Sequence, residues 1–225
     1  MNYVFAPGCA LLLYKPKLAE AAREFLVSQY GDMEQLLTCC RHTPQIPSET
    51  CVINTCPGCD RRYRENYDTP STISLWELLA ESDAFTFPDY ESQRMAIIDA
   101  CPTRDQDRIH DAVRSIAKRM NIDIVEPSRT RGGSTCCGDS LYGQVETTKV
   151  LWQMNARASE MPANDVLVYC VSCSNSVLNG GKNPRYLVDL LFEEDTNPKR
   201  HHPDAWHKEL TEFNEAHAEY EVALR

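Results

Sequence analysis

The chain has 225 residues, 42% of them hydrophobic, and is therefore long enough to bury one or two hydrophobic cores. Its formal net charge of −10 argues against a nucleic-acid groove, which needs a basic face. Its eleven cysteines are too sparse for a small disulfide scaffold. No apolar run approaches the roughly eighteen residues of a membrane span.

The N-terminal segment indicates a cellular compartment. It carries no basic residues before Lys15, and its apolar stretch ends at Lys15–Pro16. This stretch is too short for a signal peptide, so we expect a cytoplasmic protein. In a reducing compartment, clustered cysteines indicate metal binding or catalysis more often than disulfides.

Strands and helices are predicted to alternate in the first half of the chain. In order, the pattern predicts a strand over 3–6, a helix from Pro16 to Gly31, a strand over 51–55 and a helix around 75–79. A polar connector is expected over 81–94 because few apolar residues recur there at a regular spacing.

The second half repeats this order. It is predicted to contain a strand over 95–98, a helix with apolar residues from Ile109 to Met120, a strand over 122–125, a helix over 145–158 and a strand over 166–169. From Pro203 onward we expect an acidic helix that packs on the core. The alternation predicts an α/β fold of two tandem Rossmann-like βαβ halves with a C-terminal helix. The expected boundaries are 1–92, 93–200 and 201–225.

The cysteines follow one pattern that is used twice: a single cysteine, an adjacent pair, and a C-x-x-C. The first set is Cys9, Cys39, Cys40, Cys56 and Cys59. The second set is Cys101, Cys136, Cys137, Cys170 and Cys173. Cys51 lies outside both sets and is predicted to be a core residue. The single cysteines and the C-x-x-C groups follow predicted strands, and in parallel sheets functional groups gather beyond the carboxyl ends of strands.

Several chemistries use cysteines in such groups. Thiolates held by a rigid backbone can bind an iron–sulfur cluster. A structural zinc takes four ligands, typically from two C-x-x-C knuckles, and would leave both adjacent pairs unexplained. Buried structural thiols are the alternative for the second set. Another metal, a degenerate site or a redox dithiol are the alternatives for the first set.

The second set resembles the cysteine-rich CCG domain found in heterodisulfide reductase and in related glycolate, lactate and glycerol-3-phosphate oxidoreductases. Cys101 is followed by 34 residues, then Cys136–Cys137–Gly138, then 32 residues and the C-x-x-C from Cys170. The first set departs from the family, because Arg41 replaces the glycine after the pair and only 15 residues precede Cys56.

The resemblance implies a non-cubane [4Fe–4S] cluster held by the five cysteines of the second set. It also implies a second such cluster on the first set, with altered spacing. The implied activity is that of an oxidoreductase subunit of the disulfide reductase type, which reduces a disulfide or a related sulfur substrate. Electrons would come from a separate iron–sulfur or flavoprotein subunit. Two alternatives remain: an electron-transfer or docking subunit without a substrate of its own, and a zinc or dithiol module with a structural or redox-sensing role.

A few other residues are candidates for roles near the cysteines. The residues before the second pair could hold an anionic substrate, neutralise the charge of a cluster or form a mobile solvated loop; they are Arg129, Arg131, Gly132 and Gly133. His42 follows the first pair and is a candidate ligand or proton carrier, although a lone loop histidine is more often neither. No G-x-G-x-x-G or P-loop motif occurs, so we expect no bound flavin or nicotinamide.

Overall fold

The computed structural model describes residues 2–37, 46–66, 71–198 and 202–217. The first half contains β1 (Asn2–Ala6), α1 (Cys9–Tyr14), α2 (Pro16–Tyr30), β2 (Glu34–Gln35), β3 (Thr50–Asn54), α3 (Pro57–Asn66), β4 (Ser71–Ser74) and α4 (Leu75–Glu81). The second half contains β5 (Gln93–Ile98), α5 (Asp107–Arg119), β6 (Ile122–Val125), α6 (Thr147–Ser159), β7 (Asp165–Val168), α7 (Val171–Asn179), β8 (Asn183–Tyr186) and α8 (Leu187–Leu191), and α9 (Pro203–Ala216) follows.

The two halves share one strand order. The first sheet runs β2-β1-β3-β4 and the second β6-β5-β7-β8, and neighbouring strands are parallel throughout. In both sheets the first strand of the half pairs with the third strand, as shown by the register partners Val4 with Val52 and Ile97 with Leu167. The predicted α/β fold of two Rossmann-like halves is therefore confirmed.

The central strands form because they are apolar on both faces. All five residues of β3 are buried, as are the last four of β5, and parallel strands covered by helices on both sides need such continuous apolar runs. Helix α5 buries Ile109, Val113 and Ile116 on one stripe, as the helical spacing predicts.

The connector between the halves has no helix or strand between Glu81 and Gln93, in agreement with the prediction of a connector. The sequence predicts a polar segment, but its aromatic side chains pack on both halves. The ring centroid of Phe85 lies 5.1 Å from that of Phe25 on α2 and 6.0 Å from that of Phe192, which follows α8. Aromatic rings at these distances interact edge to face, so this segment holds the halves together.

A buried carboxylate also joins the halves. Asp189 on α8 accepts hydrogen bonds of 2.8 Å from the Tyr14 hydroxyl and of 2.8 Å from Lys15 Nζ. Burial raises the pKa of Asp189, and both donors oppose that rise. The ring of Tyr14 also meets that of Tyr186 edge-on, with centroids 6.0 Å apart.

Helix α9 packs on the core, as predicted, and contacts α1 of the first half and α6 of the second. Trp206 is buried, and its Nε1 donates a 3.2 Å hydrogen bond to Ser172 Oγ at the start of α7. In the part of the chain that the structure describes, no helix is both long enough and apolar enough to cross a membrane.

Candidate functional site

The second cysteine set converges at the carboxyl edge of the second sheet. Cys101 opens a short 3₁₀ turn just after β5, and Cys170 follows β7. Cys173 lies in the first turn of α7, which begins at Val171. The adjacent pair reaches the same place from the loop that leads to α6.

These five cysteines form a continuous chain of sulfur contacts. The Sγ atoms of Cys101 and Cys136 are 3.8 Å apart. Side-chain hydrogen bonds then link Cys136 to Cys137, Cys137 to Cys173, and Cys173 to Cys170. All five are free thiols. Contiguous reduced thiols on rigid turns are the donor set that an iron–sulfur cluster requires, so these residues fit the group.

The thiols share their protons unequally. Hydrogen bonds donated by Cys101 and Cys137 lower the pKa of Cys136, and the Ser140 hydroxyl at 2.9 Å and the Gly138 N–H at 3.3 Å act in the same direction. The same bonds, together with burial, raise the pKa of Cys101 and Cys137.

The C-x-x-C behaves in the same way. The hydrogen bond from Cys173 lowers the pKa of Cys170, while bonds to Cys137 and Cys170, together with burial, raise that of Cys173. Further thiolates in so small a space repel one another unless a cation compensates their charge. This behaviour suits a metal-binding set, because metals bind the deprotonated thiol.

Gly138 is required after the cysteine pair. Its φ is 109°, and a Cβ placed on it would lie 2.9 Å from Met154 Cγ and 3.1 Å from the Val150 carbonyl oxygen. Helix α6 thus packs directly on the backbone of the pair. Gln153 of the same helix donates a 3.0 Å hydrogen bond to the Cys136 carbonyl. The glycine of the motif therefore lets a helix approach the thiol loop closely.

Tyr169 joins the two strand ends that carry Cys101 and Cys170. Its buried hydroxyl accepts a 2.9 Å hydrogen bond from the Ala100 N–H, next to Cys101. It also lies 2.9 Å from the Thr103 hydroxyl, which donates to the Ala100 carbonyl at 2.8 Å. Because Tyr169 directly precedes Cys170, this side chain fixes the separation of the two turns.

A buried ion pair anchors the loop before the cysteine pair. Arg114 on α5 donates to both carboxylate oxygens of Asp99, at 3.0 and 2.9 Å, and the backbone N–H of Arg131 donates at 2.6 Å. Although burial alone would raise it, the pKa of Asp99 is lowered by these donors. Ser134 Oγ donates to the Asp99 carbonyl at 2.8 Å and accepts from Arg157 at 2.8 Å.

The loop over Arg129–Gly133 is therefore anchored within the chain, while Arg129 and Gly133 remain exposed to solvent. The Arg131 guanidinium pairs with Asp111 at 2.7 Å, and Arg129 pairs with Glu160. Both guanidinium groups therefore pair with carboxylates of the chain itself, and these pairs hold the loop in place.

The first cysteine set is only partly described. Cys9 begins α1 and Cys56 follows β3, and neither is disulfide-bonded. A Cβ placed on Gly8 would lie 3.0 Å from Cys56 Cβ and 3.3 Å from Cys59 Sγ, so the Cys9 turn packs against the C-x-x-C. Cys59 is disulfide-bonded and must be reduced before it can bind a metal. Cys39, Cys40 and His42 lie outside the described residues. Cys51 is buried within β3, as its core assignment predicts.

The carboxyl edges of the two sheets lie close to each other. Helix α3, which contains Cys59, packs on the Cys101 turn, and its Arg64 donates a 3.2 Å hydrogen bond to Asp105. Burial, Cys170 and Cys56 together raise the pKa of Tyr186, so a residue of each set lies near this one hydroxyl. The described parts of both sets therefore lie at a common interface between the halves.

The sequence alone did not identify several residues around the thiols. Asp139, directly after Gly138, lies 3.2 Å from Nε2 of His207 on α9, and the His207 ring stacks on Tyr142 at 4.0 Å. These contacts and that of Trp206 attach α9 to residues beside the thiol group. They join residues more than 30 positions apart, and no local pattern marks them.

Within the described residues, no group of three or more His, Cys, Asp or Glu side chains has the arrangement of a single metal-ion site. No protein-family model matches the sequence, and no curated protein matches it. Among solved structures, the chain is similar to aspartate racemase from Picrophilus torridus at 10% identity, over 90% of this chain and 99% of that one, with a TM-score of 0.35. A likeness this low carries no argument about function.

Proposed function

We propose that the chain is a cytoplasmic iron–sulfur oxidoreductase subunit that resembles the CCG-domain component of heterodisulfide reductase. The observation that carries this proposal is the continuous chain of five free thiols from Cys101 to Cys170 at the carboxyl edge of the second sheet. They would hold a non-cubane [4Fe–4S] cluster. The substrate class is a disulfide or a related sulfur compound, and electrons come from a separate iron–sulfur or flavoprotein subunit.

Different residues of the chain have different roles at this site. When bound, a cluster supplies one-electron redox chemistry and iron atoms open to sulfur ligands. Tyr169 and the Asp99–Arg114 pair hold the ligand turns at a fixed separation. Trp206 and His207 hold α9 beside the ligand turns through Ser172 and Asp139. Donors such as Ser140 stabilise negative charge on sulfur.

Iron and sulfide analysis after anaerobic purification tests the proposal. About four irons per chain supports one cluster and about eight supports two. Cys137→Ser should remove at least half of the iron, because this thiol lies in the middle of the sulfur chain. Cys51→Ser is the matched control, since Cys51 is buried in β3 outside both sets, and it should keep the iron content of the wild type. Zinc without iron, or unchanged iron in Cys137→Ser, would refute the ligand assignment.

Electron paramagnetic resonance separates substrate reduction from electron transfer alone. If a sulfur substrate binds at the cluster, adding a thiol or disulfide should produce a new signal. A spectrum that is unchanged by the thiol and by the disulfide supports the electron-transfer and docking role instead.

The disulfide at Cys59 favours a second candidate function for the first set, that of a redox dithiol. Thiol counting before and after reduction, combined with iron analysis, distinguishes the two. If reduction releases two thiols and the first set then takes up iron, the disulfide is an oxidised form of a cluster site. If it releases two thiols and iron does not bind, the set is a dithiol.

A further inference from the structure

Arg104 differs from the other arginines near the second cysteine set, because none of the residues that the structure describes places a carboxylate within ion-pair distance of it. Asp105, its neighbour in the chain, pairs instead with Arg64 at 3.2 Å. The arginines that do pair with acidic side chains are Arg64, Arg108, Arg114, Arg129, Arg131 and Arg157. In a chain with a net charge of −10, an exposed guanidinium without such a pair is open to an external anion.

The guanidinium of Arg104 is also held in place. Its Nη2 donates a 3.1 Å hydrogen bond to the carbonyl oxygen of Ser134, a buried residue. A Cβ placed on Gly132 would lie 2.9 Å from the Arg104 carbonyl oxygen, so the backbone of Arg104 packs on the loop before the cysteine pair. A guanidinium has more N–H donors than this one bond uses. The remaining donors can bind a ligand, and a side chain that is already held loses little conformational entropy on binding.

Arg104 lies beside the accessible sulfur atoms of the thiol set. It follows the 3₁₀ turn that begins at Cys101, and side chains three residues apart lie on the same side of such a turn. Its hydrogen-bond partner Ser134 precedes Cys136 by two residues, which span at most about 7 Å. Cys101 and Cys136, whose Sγ atoms are 3.8 Å apart, are partly exposed, whereas two of the other three thiols of the set are buried. The guanidinium therefore lies next to the part of the thiol set that a substrate can reach.

We infer that Arg104 is a specificity-determining residue, which binds the acid group of a sulfur substrate. The substrate is then a small thiol or disulfide that carries a carboxylate, sulfonate or phosphate, because a guanidinium binds such oxyanions through charge-assisted hydrogen bonds. This inference rests on the proposed function for the sulfur chemistry itself. Arg129 and Arg131, the arginines for which the sequence suggests a role in anion binding, pair with Glu160 and Asp111 instead.

Two thiols of equal length and different charge test this inference on the iron-loaded full chain. The purified protein is titrated with 3-mercaptopropionate or with 3-mercapto-1-propanol, and electron paramagnetic resonance records the change of the spectrum. The anionic thiol should reach half of its effect at roughly tenfold lower concentration, as expected for one charge-assisted hydrogen bond. Arg104→Gln should remove this preference, because it removes the charge but keeps an amide that can donate to the Ser134 carbonyl.

Arg94→Gln is the matched control. It makes the same change of charge at the start of β5, which is the opposite edge of the sheet, and Arg94 is exposed and pairs with Asp123 at 3.4 Å. This variant should keep the preference of the wild type for the anionic thiol. Equal responses of the wild type to the two thiols, or an unchanged preference in folded Arg104→Gln, would overturn the inference.

Alkylation of Cys136 gives a second measurement that needs no cluster. The reduced, iron-free chain is treated with iodoacetate, which is an anion, or with iodoacetamide, which is neutral, and mass spectrometry follows the modification of Cys136. The ratio of the iodoacetate rate to the iodoacetamide rate should fall roughly threefold in Arg104→Gln, as expected for one unit charge about 7 Å away in water. Arg94→Gln should leave the ratio unchanged, and Arg104→Lys, which keeps the charge, should retain most of it.

The two measurements separate this inference from the proposed function. If the chain holds no iron, or if neither thiol changes the spectrum, the proposed function fails and the alkylation ratio decides about Arg104. An equal ratio in the wild type and in Arg104→Gln would overturn the inference. Circular dichroism shows whether this variant is folded. If it is not, the wild type decides: attraction by Arg104 makes the ratio fall as salt is added, whereas repulsion by the net charge of −10 makes it rise.

Discussion

At the scale of single residues, Gly138 is the glycine near the thiols that tolerates a side chain least. A side chain at this position meets α6, and the positive φ is itself unfavourable for any other residue. We expect Gly138→Ala to lower the free energy of unfolding by about 2 kcal/mol and to reduce the iron content of the purified protein. Urea denaturation and iron analysis measure the two effects.

The control for this prediction is Gly133→Ala. No atom lies within 4 Å of a Cβ placed on Gly133, which is in the same loop. This variant should have nearly the stability and iron content of the wild type. Equal losses in the two variants would show that the approach of α6 to Gly138 is not the cause.

Tyr169 is a second residue at this scale, because its hydroxyl is predicted to stabilise the fold through a buried hydrogen bond. Tyr169→Phe keeps the ring but leaves the Ala100 N–H without its partner in a buried position. The expected cost is about 2 kcal/mol in the free energy of unfolding. Tyr3→Phe is the control, because Tyr3 packs its ring on Tyr30 and its hydroxyl has no hydrogen bond to the described residues. A cost in Tyr169→Phe no larger than in Tyr3→Phe would contradict the role given to the hydroxyl.

At the scale of elements, the contact between α5 and the loop after β6 makes stability depend on pH. Arg114 donates to Glu126 at 2.6 and 2.8 Å and thereby lowers the pKa of that carboxyl. A carboxyl with a lowered folded pKa stabilises the protein above its unfolded pKa, and this contribution is lost as the pH falls through the folded value.

Glu126→Gln should therefore cost about 1 kcal/mol or less at neutral pH, since Glu126 is 41% exposed. The difference from the wild type should shrink below about pH 4. Urea unfolding of both proteins over a pH series measures it. If the difference in the free energy of unfolding stays constant with pH, the charge of Glu126 does not contribute to stability.

The elements also show what a sequence pattern can and cannot predict. The strands β1, β3, β5 and β7 were predictable because each is an apolar run that is buried on both faces. The strands β2, β4 and β8 were not, because Glu34–Gln35 is only two residues long, Ser71–Ser74 is mostly polar, and Pro184 interrupts the third. These strands exist because a neighbouring strand supplies their hydrogen bonds, which is a tertiary effect.

The candidate site divides in a similar way. Spacing identified the five cysteines of the second set because the turns after parallel strands meet at one edge. The hydroxyl of Tyr169 and the ring of His207 lie at the site through contacts with residues 69 and 68 positions away in the sequence. Local periodicity contains no information about such pairs. The same is true of the hydrogen bond from Arg104 to the Ser134 carbonyl.

At the scale of the whole molecule, Asp189 joins the halves. Asp189→Asn keeps the size of the side chain but removes the charge that pairs with Lys15. We expect a loss of about 3 kcal/mol in the free energy of unfolding. The value is at the low end for a buried pair because Lys15 is 22% exposed and keeps its contact with Glu194.

Asp123→Asn is the control for this prediction. Asp123 pairs with Arg94 at 3.4 Å, and both side chains are more than half exposed. Its removal should cost less than about 0.5 kcal/mol. Similar losses in the two variants, measured by urea denaturation, would show that the ion pair at Asp189 does not stabilise the contact between the halves.

The repeated strand order has a practical consequence for engineering. Each sheet is complete within one continuous stretch of chain, and no strand crosses from one half to the other in the described residues. The peptide backbone between β4 and β5 is therefore topologically dispensable. A chain cut before Phe85 would keep Phe85 on the second fragment, where it faces Phe25 of the first. Two such fragments, produced separately, could reassemble through the contact between Phe25 and Phe85 and the ion pair between Lys15 and Asp189.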